Sequence, residues 1–179
     1  MSLQSLVKPP LVPPLVMGIV NVTPDSFSDG GRLATQEAAL AHALGLIAQG
    51  ADVLDIGGES TRPGSEPVSE DQEIMRTLPL ISALRARWGG MISIDTMKPG
   101  VARAAVEAGA TMWNDVTALM HDPDSLATAA ELGCAVVLMH MKGAPKTMQD
   151  DPRYDDVTAE VFAHLAARAE AAMAAGVAR

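Results

Sequence analysis

Basic charge, paired cysteines and long apolar runs are all scarce in this sequence. Its 179 residues carry 13 Lys and Arg against 22 Asp and Glu, a formal net charge of −9. A surface that neutralises nucleic-acid phosphates needs clustered Lys and Arg, so no nucleic-acid partner is expected, and any anionic ligand must be held by local donors. Cys134 is the single cysteine, which excludes an intrachain disulfide. Its apolar flank, Ala135-Val136-Val137-Leu138, points to a buried thiol in a reducing compartment and not to a nucleophile. No run approaches the ~20 apolar residues that a membrane-spanning helix requires. Pro9, Pro10, Pro13 and Pro14 interrupt the stretch where a secretory signal would be apolar. Neither a membrane partner nor export is expected, and a cytoplasmic location follows. His42, His121 and His164 show no zinc-like spacing to one another or to the cysteine.

What is present is apolar content, 48% of the chain, enough for one globular core. It is arranged as a repeat: a short apolar run, a polar or glycine-rich segment, an amphipathic helix, a glycine. Strands are expected at Leu15–Val20, Val53–Ile56, Met91–Asp95, Met112–Asn114 and Ala135–Met139. Helices are expected at Thr35–Gln49, after Ser69, from Pro99 to before Gly109, over Pro123–Leu132 and over Val157–Ala175. Ser69 and Gln72 have capping-box spacing. Pro79 is expected to kink or shorten the second helix, and Pro99 suits a first helical turn.

Strands alternating with helices imply a parallel sheet, either doubly wound or part of a (β/α)8 barrel. The chemistry-bearing residues follow the strands: Asn21, Glu59 to Arg62, Asp95, Asn114 and His140. So many loops bearing chemistry on one face favour the barrel. We expect an α/β chain of the (β/α)8 TIM-barrel class, with residues 1–14 as an N-terminal extension and 15–179 as a partial barrel domain. A full barrel takes about 250 residues, so about the first five βα units are expected here.

Asn21-Val22-Thr23-Pro24-Asp25-Ser26-Phe27-Ser28-Asp29-Gly30-Gly31 combines amide, hydroxyl and carboxylate groups suited to an anion and a hard metal ion, although the same residues are ordinary turn formers. Gly57-Gly58-Glu59-Ser60-Thr61-Arg62-Pro63-Gly64 adds backbone donors, a hydroxyl and a guanidinium suited to phosphate or carboxylate oxygens; its plainer reading is an Arg–Glu surface pair. Asp95, ending an apolar strand, would be partly desolvated and favour a cationic or donating partner, unless it only caps the next helix. Asn114 offers a donor and an acceptor together, as a heterocyclic amide edge requires, whereas Asp115 has the spacing to organise a turn around Thr117. His140 and Lys142 follow the fifth strand, where the histidine is a base, a ligand or a structural side chain.

Taken together, the Met17-to-Gly31 and Asp55-to-Gly64 segments resemble the two signature segments of the dihydropteroate synthase family. Ser93-Ile94-Asp95-Thr96, Trp113-Asn114-Asp115-Val116 and Leu138-Met139-His140-Met141-Lys142-Gly143 follow in the family's order. The resemblance implies a (β/α)8 barrel that uses Mg²⁺ to condense (7,8-dihydropterin-6-yl)methyl diphosphate with p-aminobenzoate, with sulfonamides competing for the aminobenzoate site. By that resemblance Asn21 would ligate the metal, Asp95 and Asn114 would hydrogen-bond the pterin, and Thr61 would contact the diphosphate with Arg62 nearby. Asp95 and Arg62 would act in the reaction itself. Asp25, Ser26, Phe27 and Pro63 would surround the aminobenzoate. The family's later Asp-Pro-Gly, Ser-Arg-Lys and Arg-x-His segments are absent from the sequence, and the full-length parent is expected to be a homodimer. Two other readings compete: a folate-binding methyltransferase barrel, and an inactive fragment or half-barrel that associates through its open strand edges.

Overall fold

The computed structural model describes residues 13–22, 36–60, 67–144 and 147–179. Five strands alternate with five helices: β1 Met17–Asn21, α1 Gln36–Ala48, β2 Val53–Gly57, α2 Glu70–Arg85, β3 Met91–Asp95, α3 Pro99–Glu107, β4 Met112–Asp115, α4 Ser125–Leu132, β5 Ala135–Leu138 and α5 Val157–Ala175. The first twelve residues of the expected extension lie outside the described residues. No helix of the described residues is long and apolar enough to cross a membrane.

All strand pairings are parallel, and the spatial order β1-β2-β3-β4-β5 is the chain order. A doubly wound sheet reverses its order at a switch point; this sheet never does. Successive helices pack side by side, α1 on α2, α2 on α3, α3 on α4 and α4 on α5, as in the outer layer of a barrel. β1 and β5 are the edges of the sheet.

Alternation along the strands separates two faces. Val20, Leu54, Ile56, Ile92, Ile94 and Trp113 are fully buried and point to the helices. They meet Ala39 and Ala43 of α1, Leu80, Ile81 and Leu84 of α2, and Val101, Ala102 and Ala105 of α3. Small residues dominate α1 and α3 at this contact. The opposite, inner face carries Ile19, Asp55, Ser93 and Met112 in one layer and Asn21, Gly57, Asp95 and Asn114 in the next.

Local signals account for most helix ends. The Ser69 hydroxyl accepts from the Gln72 amide at 3.3 Å, Pro99 opens α3, and Asp156 accepts from the Ala159 amide at 3.0 Å to start α5. Pro79 departs from expectation: α2 continues through it to Arg85. Pro79 and Met75, whose carbonyl loses its helical donor, are both exposed, so solvent can bond the freed oxygen and the helix survives. Cys134 is only partly buried, not enclosed as its flank suggested, although burial still raises its thiol pKa.

Arg85 closes the end of the sheet opposite the polar loops. Its Nε and Nη2 donate to the Gly109 carbonyl at 2.9 and 2.8 Å, and its Nη1 donates to the carbonyls of Gly90 and Trp88 at 3.0 and 3.2 Å. One side chain thereby ties the turns that enter β3 and β4. Gly109 has φ +115°, and a Cβ there would lie 2.7 Å from Arg85 Cγ. Hydrogen bonds to a charged group are worth about 1.5–3 kcal/mol, and these carbonyls are half-buried, so Arg85→Ala should cost about 2 kcal/mol. Urea unfolding should show a lower midpoint with an unchanged slope. A loss under about 0.5 kcal/mol, the range of ordinary surface substitutions, would mean that the tie is incidental.

Candidate active site

One row of residues crosses the sheet at the C-terminal ends of its strands. The ladder pairs Asn21 with Gly57, Gly57 with Asp95, and Asp95 with Asn114, so these four share a face and a level. Gly57 has a specific steric role in the row. A Cβ at Gly57 would lie 2.9 Å from Asn21 Oδ1 and 3.6 Å from Asp95 Oδ2, so the missing side chain leaves the space into which both functional groups lean. The strand ends are held by the backbone: the Val22 amide donates to the Gly57 carbonyl at 2.7 Å, and the Thr96 amide to the Asn114 carbonyl at 3.1 Å. Trp113, buried behind Asn114, donates its indole N–H to the Thr96 carbonyl at 2.8 Å.

Asp95 sits in a strongly acidic field. Burial, then the negative charges of Asp55, Glu73, Asp115 and Glu59, push its carboxyl up to about 7. Asp95 has no hydrogen-bond partner among the described residues. Each of its acidic neighbours does have compensation. Asp115 accepts from the Thr117 amide and hydroxyl, both at 2.7 Å, and from the Leu119 amide at 3.0 Å; it organises the turn that follows β4, as its spacing suggested. That turn holds Ala118 and Leu119 at φ 54° and 61°, and Arg168 of α5 donates to both of their carbonyls at 2.8 and 3.2 Å. Glu59 and Glu73 share Lys98, whose ammonium lies 2.6 Å from the Glu73 carboxylate and also pairs with Glu59. Burial works against the Lys98 charge, but the two carboxylates hold its pKa above the usual value.

Asp55 lies one layer deeper and is 4% exposed. Asn114 Nδ2 donates to its Oδ2 at 3.1 Å, while Oδ1 has no partner. Burial raises its carboxyl above the usual range, against the pull of the neighbouring Ser93 hydroxyl and the Asn114 amide.

The structure therefore places Asn21, Asp95 and Asn114 on one face at one level of the sheet. Thr61, Arg62, Pro63, Asp25, Ser26 and Phe27 lie outside the described residues. Glu59 pairs with Lys98, a partner that sequence reading missed, as it also missed Asp55 and Glu73. Asp55 carried a visible signal, an acid in the middle of the apolar run Val53–Ile56. Lys98 and Glu73 carried none. His140 and Lys142 have a structural setting: His140 packs edge-on against His164 at 4.9 Å and near Tyr154 at 5.8 Å, and Lys142 pairs with Glu160 at 2.7 Å over the Tyr154 ring.

The Asp95 shift sets a pH dependence. Its folded pKa lies above its unfolded value, so between pH ~4 and ~7 the native state holds more protons than the unfolded chain, and stability falls as pH rises through that window. Asp95→Asn removes this cost. The variant should gain stability at pH 8 relative to pH 5 by up to about 2 kcal/mol, read as a higher Tm. An equal effect at both pH values would place the Asp95 carboxyl in the ordinary range.

Family-level comparison matches residues 17–179 to "Pterin binding enzyme". Dihydropteroate synthase of Escherichia coli strain K12 is 48% identical over 166 residues, which span 93% of this chain and 58% of the relative. The Yersinia pestis dihydropteroate synthase in a sulfonamide drug complex superposes with TM-score 0.87 at 46% identity, over 92% of this chain and 60% of that one. The Xanthomonas albilineans enzyme in complex with 7,8-dihydropteroate gives TM-score 0.78 at 51% identity, over 92% and 57%. The chain thus spans somewhat over half the length of the relatives it matches, and it supplies about the first five βα units of their TIM-barrel fold. Neither the methyltransferase reading nor the half-barrel interaction module is favoured by these likenesses. The chain belongs to the pterin-binding enzyme family.

Proposed function

We propose that the chain supplies the pterin-reading part of a dihydropteroate synthase, which condenses (7,8-dihydropterin-6-yl)methyl diphosphate with p-aminobenzoate to give 7,8-dihydropteroate and diphosphate. The observation that carries this reading is the row Asn21, Gly57, Asp95, Asn114, in which an amide edge and an uncompensated carboxylate face the same space. A pterin presents a lactam and an amino-substituted ring edge. Asn114 can donate to and accept from such an edge, and Asp95 can accept from its N–H groups.

In the reaction the carbon–oxygen bond to diphosphate breaks and positive charge develops on the pterin methylene. The aminobenzoate nitrogen then forms the new carbon–nitrogen bond and gives up a proton. A carboxylate at Asp95, held where the ring becomes cationic, stabilises that charge more than it stabilises the neutral substrate. No covalent enzyme intermediate is required.

Among the described residues no group of three or more His, Cys, Asp or Glu side chains could hold a metal. The Asn21 carboxamide oxygen stands at the strand end beside the gap left by Gly57. One hard oxygen is consistent with Mg²⁺, which commonly keeps several waters and takes its other ligands from substrate phosphates. Asn21 would then hold the metal, which when bound would neutralise charge on the departing diphosphate. Thr61 and Arg62 are assigned by resemblance to the diphosphate, and Asp25, Ser26, Phe27 and Pro63 to the aminobenzoate site where sulfonamides compete. A cytoplasmic setting and a homodimeric parent complete the proposal.

Binding tests this reading. Titration of the chain with 7,8-dihydropteroate should show saturable binding, weakened about tenfold or more, roughly 1.4 kcal/mol, by Asp95→Asn and by Asn114→Ala. Arg85→Ala should leave the affinity unchanged. Binding that is unsaturable, or indifferent to both site substitutions, would contradict the assignment. Gly57→Ala provides a separate check. The new methyl displaces Asn21 Oδ1, so it should abolish the part of the pterin diphosphate affinity that depends on Mg²⁺ while sparing affinity for a pterin without diphosphate.

A further inference from the structure

The Asp55 carboxylate is out of place by packing alone. Its layer of the inner face is otherwise Ile19, Ser93 and Met112, and burying a carboxylate without a cationic partner is costly. Lys98 does not offset that cost, because its ion pairs go to Glu59 and Glu73. The hydrogen bond that Asp55 makes is directed upward, to Asn114 in the layer of the proposed site.

We propose that Asp55 is a positioning residue: by accepting from Asn114 Nδ2 it fixes the Asn114 amide so that Oδ1 and the second Nδ2 hydrogen are turned toward the space shared with Asp95. The proposal rests on the pterin-reading function and explains how that function obtains its polarity. The two ends of an asparagine amide are nearly isosteric, and a partner able both to donate and to accept would leave either orientation open. An ionised carboxylate only accepts. The 3.1 Å contact is made with nitrogen toward Asp55, the orientation that an accepting carboxylate selects. Asn114 has no other side-chain hydrogen bond among the described residues, so this contact is what distinguishes the two ends of its amide there. A heterocycle whose donors and acceptors alternate along one edge is distinguished from its mismatched isomer only if this amide is held one way, since a mismatch leaves buried polar groups unpaired.

The test uses the 179-residue chain with 6-hydroxymethylpterin as probe. In nitrogen–proton correlation spectra the Asn114 side-chain resonances are assigned by their loss in Asn114→Ser. The two Nδ2 hydrogens should differ in shift by clearly more than the E/Z splitting of a free asparagine amide, one exchanging slowly with solvent, and Asp55→Asn should return the splitting to that of the free amide. The same substitution should raise the pterin Kd about tenfold with little change in the unfolding midpoint, whereas a packing role would move the midpoint and spare the Kd. If Asp55→Asn does not fold, Asp55→Ser replaces it. A splitting no larger than that of a free asparagine amide, with both hydrogens exchanging freely in the unmodified chain, overturns the inference whatever a variant does. If the unmodified chain binds pterin and Asp55→Asn binds it equally well, the pterin reading stands and the positioning role falls. If the amide is held but no pterin binds, the pterin reading falls and takes the recognition role with it, leaving a structural hydrogen bond.

Discussion

A parallel ladder in unbroken register turns the alternation of each strand into layers that run across the whole sheet. Here that constraint converts four residues separated by tens of positions in the chain into neighbours: Asn21, Gly57, Asp95 and Asn114. A one-residue slip in any pairing would send that strand's contribution to the helix-covered face. The register is protected on that face by Val20, Leu54, Ile56, Ile92, Ile94 and Trp113, all fully buried. Packing on one side of the sheet thus specifies chemistry on the other, and Arg85, at the far end of the strands, helps hold the turns that set where β3 and β4 begin.

The electrostatics around Asp95 follow from which of the neighbouring acids are compensated. Asp115 is served by backbone and hydroxyl donors, and Glu59 and Glu73 by Lys98. Asp55 has the Asn114 amide. Asp95 is left with the repulsion of all four and no donor among the described residues, which is why its carboxyl is pushed up to about 7. Such an arrangement lowers the stability of the ionised free protein and raises affinity for a donor-rich or cationic ligand. Perturbed acids of this kind cluster at functional sites because the strain they store is released on binding.

Much of this was visible in the sequence where the signal was local. β3 and α5 lie where periodicity placed them, and Ser69, Pro99 and Gly133 mark helix ends as their residue types imply. Asp95 and Asn114 stood out because each polar group ends an apolar run. Pro79 misled because its effect depends on exposure, which no local pattern reports. Lys98 and Glu73 were invisible for a related reason: their ion pair joins the start of α3 to the buried side of α2, 25 residues apart, and only tertiary packing creates it. Asp55 was legible in principle, as an acid in a buried strand, but its meaning depends on a side chain 59 residues away.

Proton release on ligand binding tests most directly whether Asp95 is poised for a pterin. Calorimetric titration with 6-hydroxymethylpterin in two buffers of different ionisation enthalpy gives the number of protons exchanged. Because binding requires the carboxylate and its free pKa is about 7, about half a proton should leave at pH 7, more at pH 6 and almost none at pH 9. The Asp95→Asn chain should release none at any of these. Binding without proton release at pH 6 and 7, or release that persists in Asp95→Asn, would contradict the account.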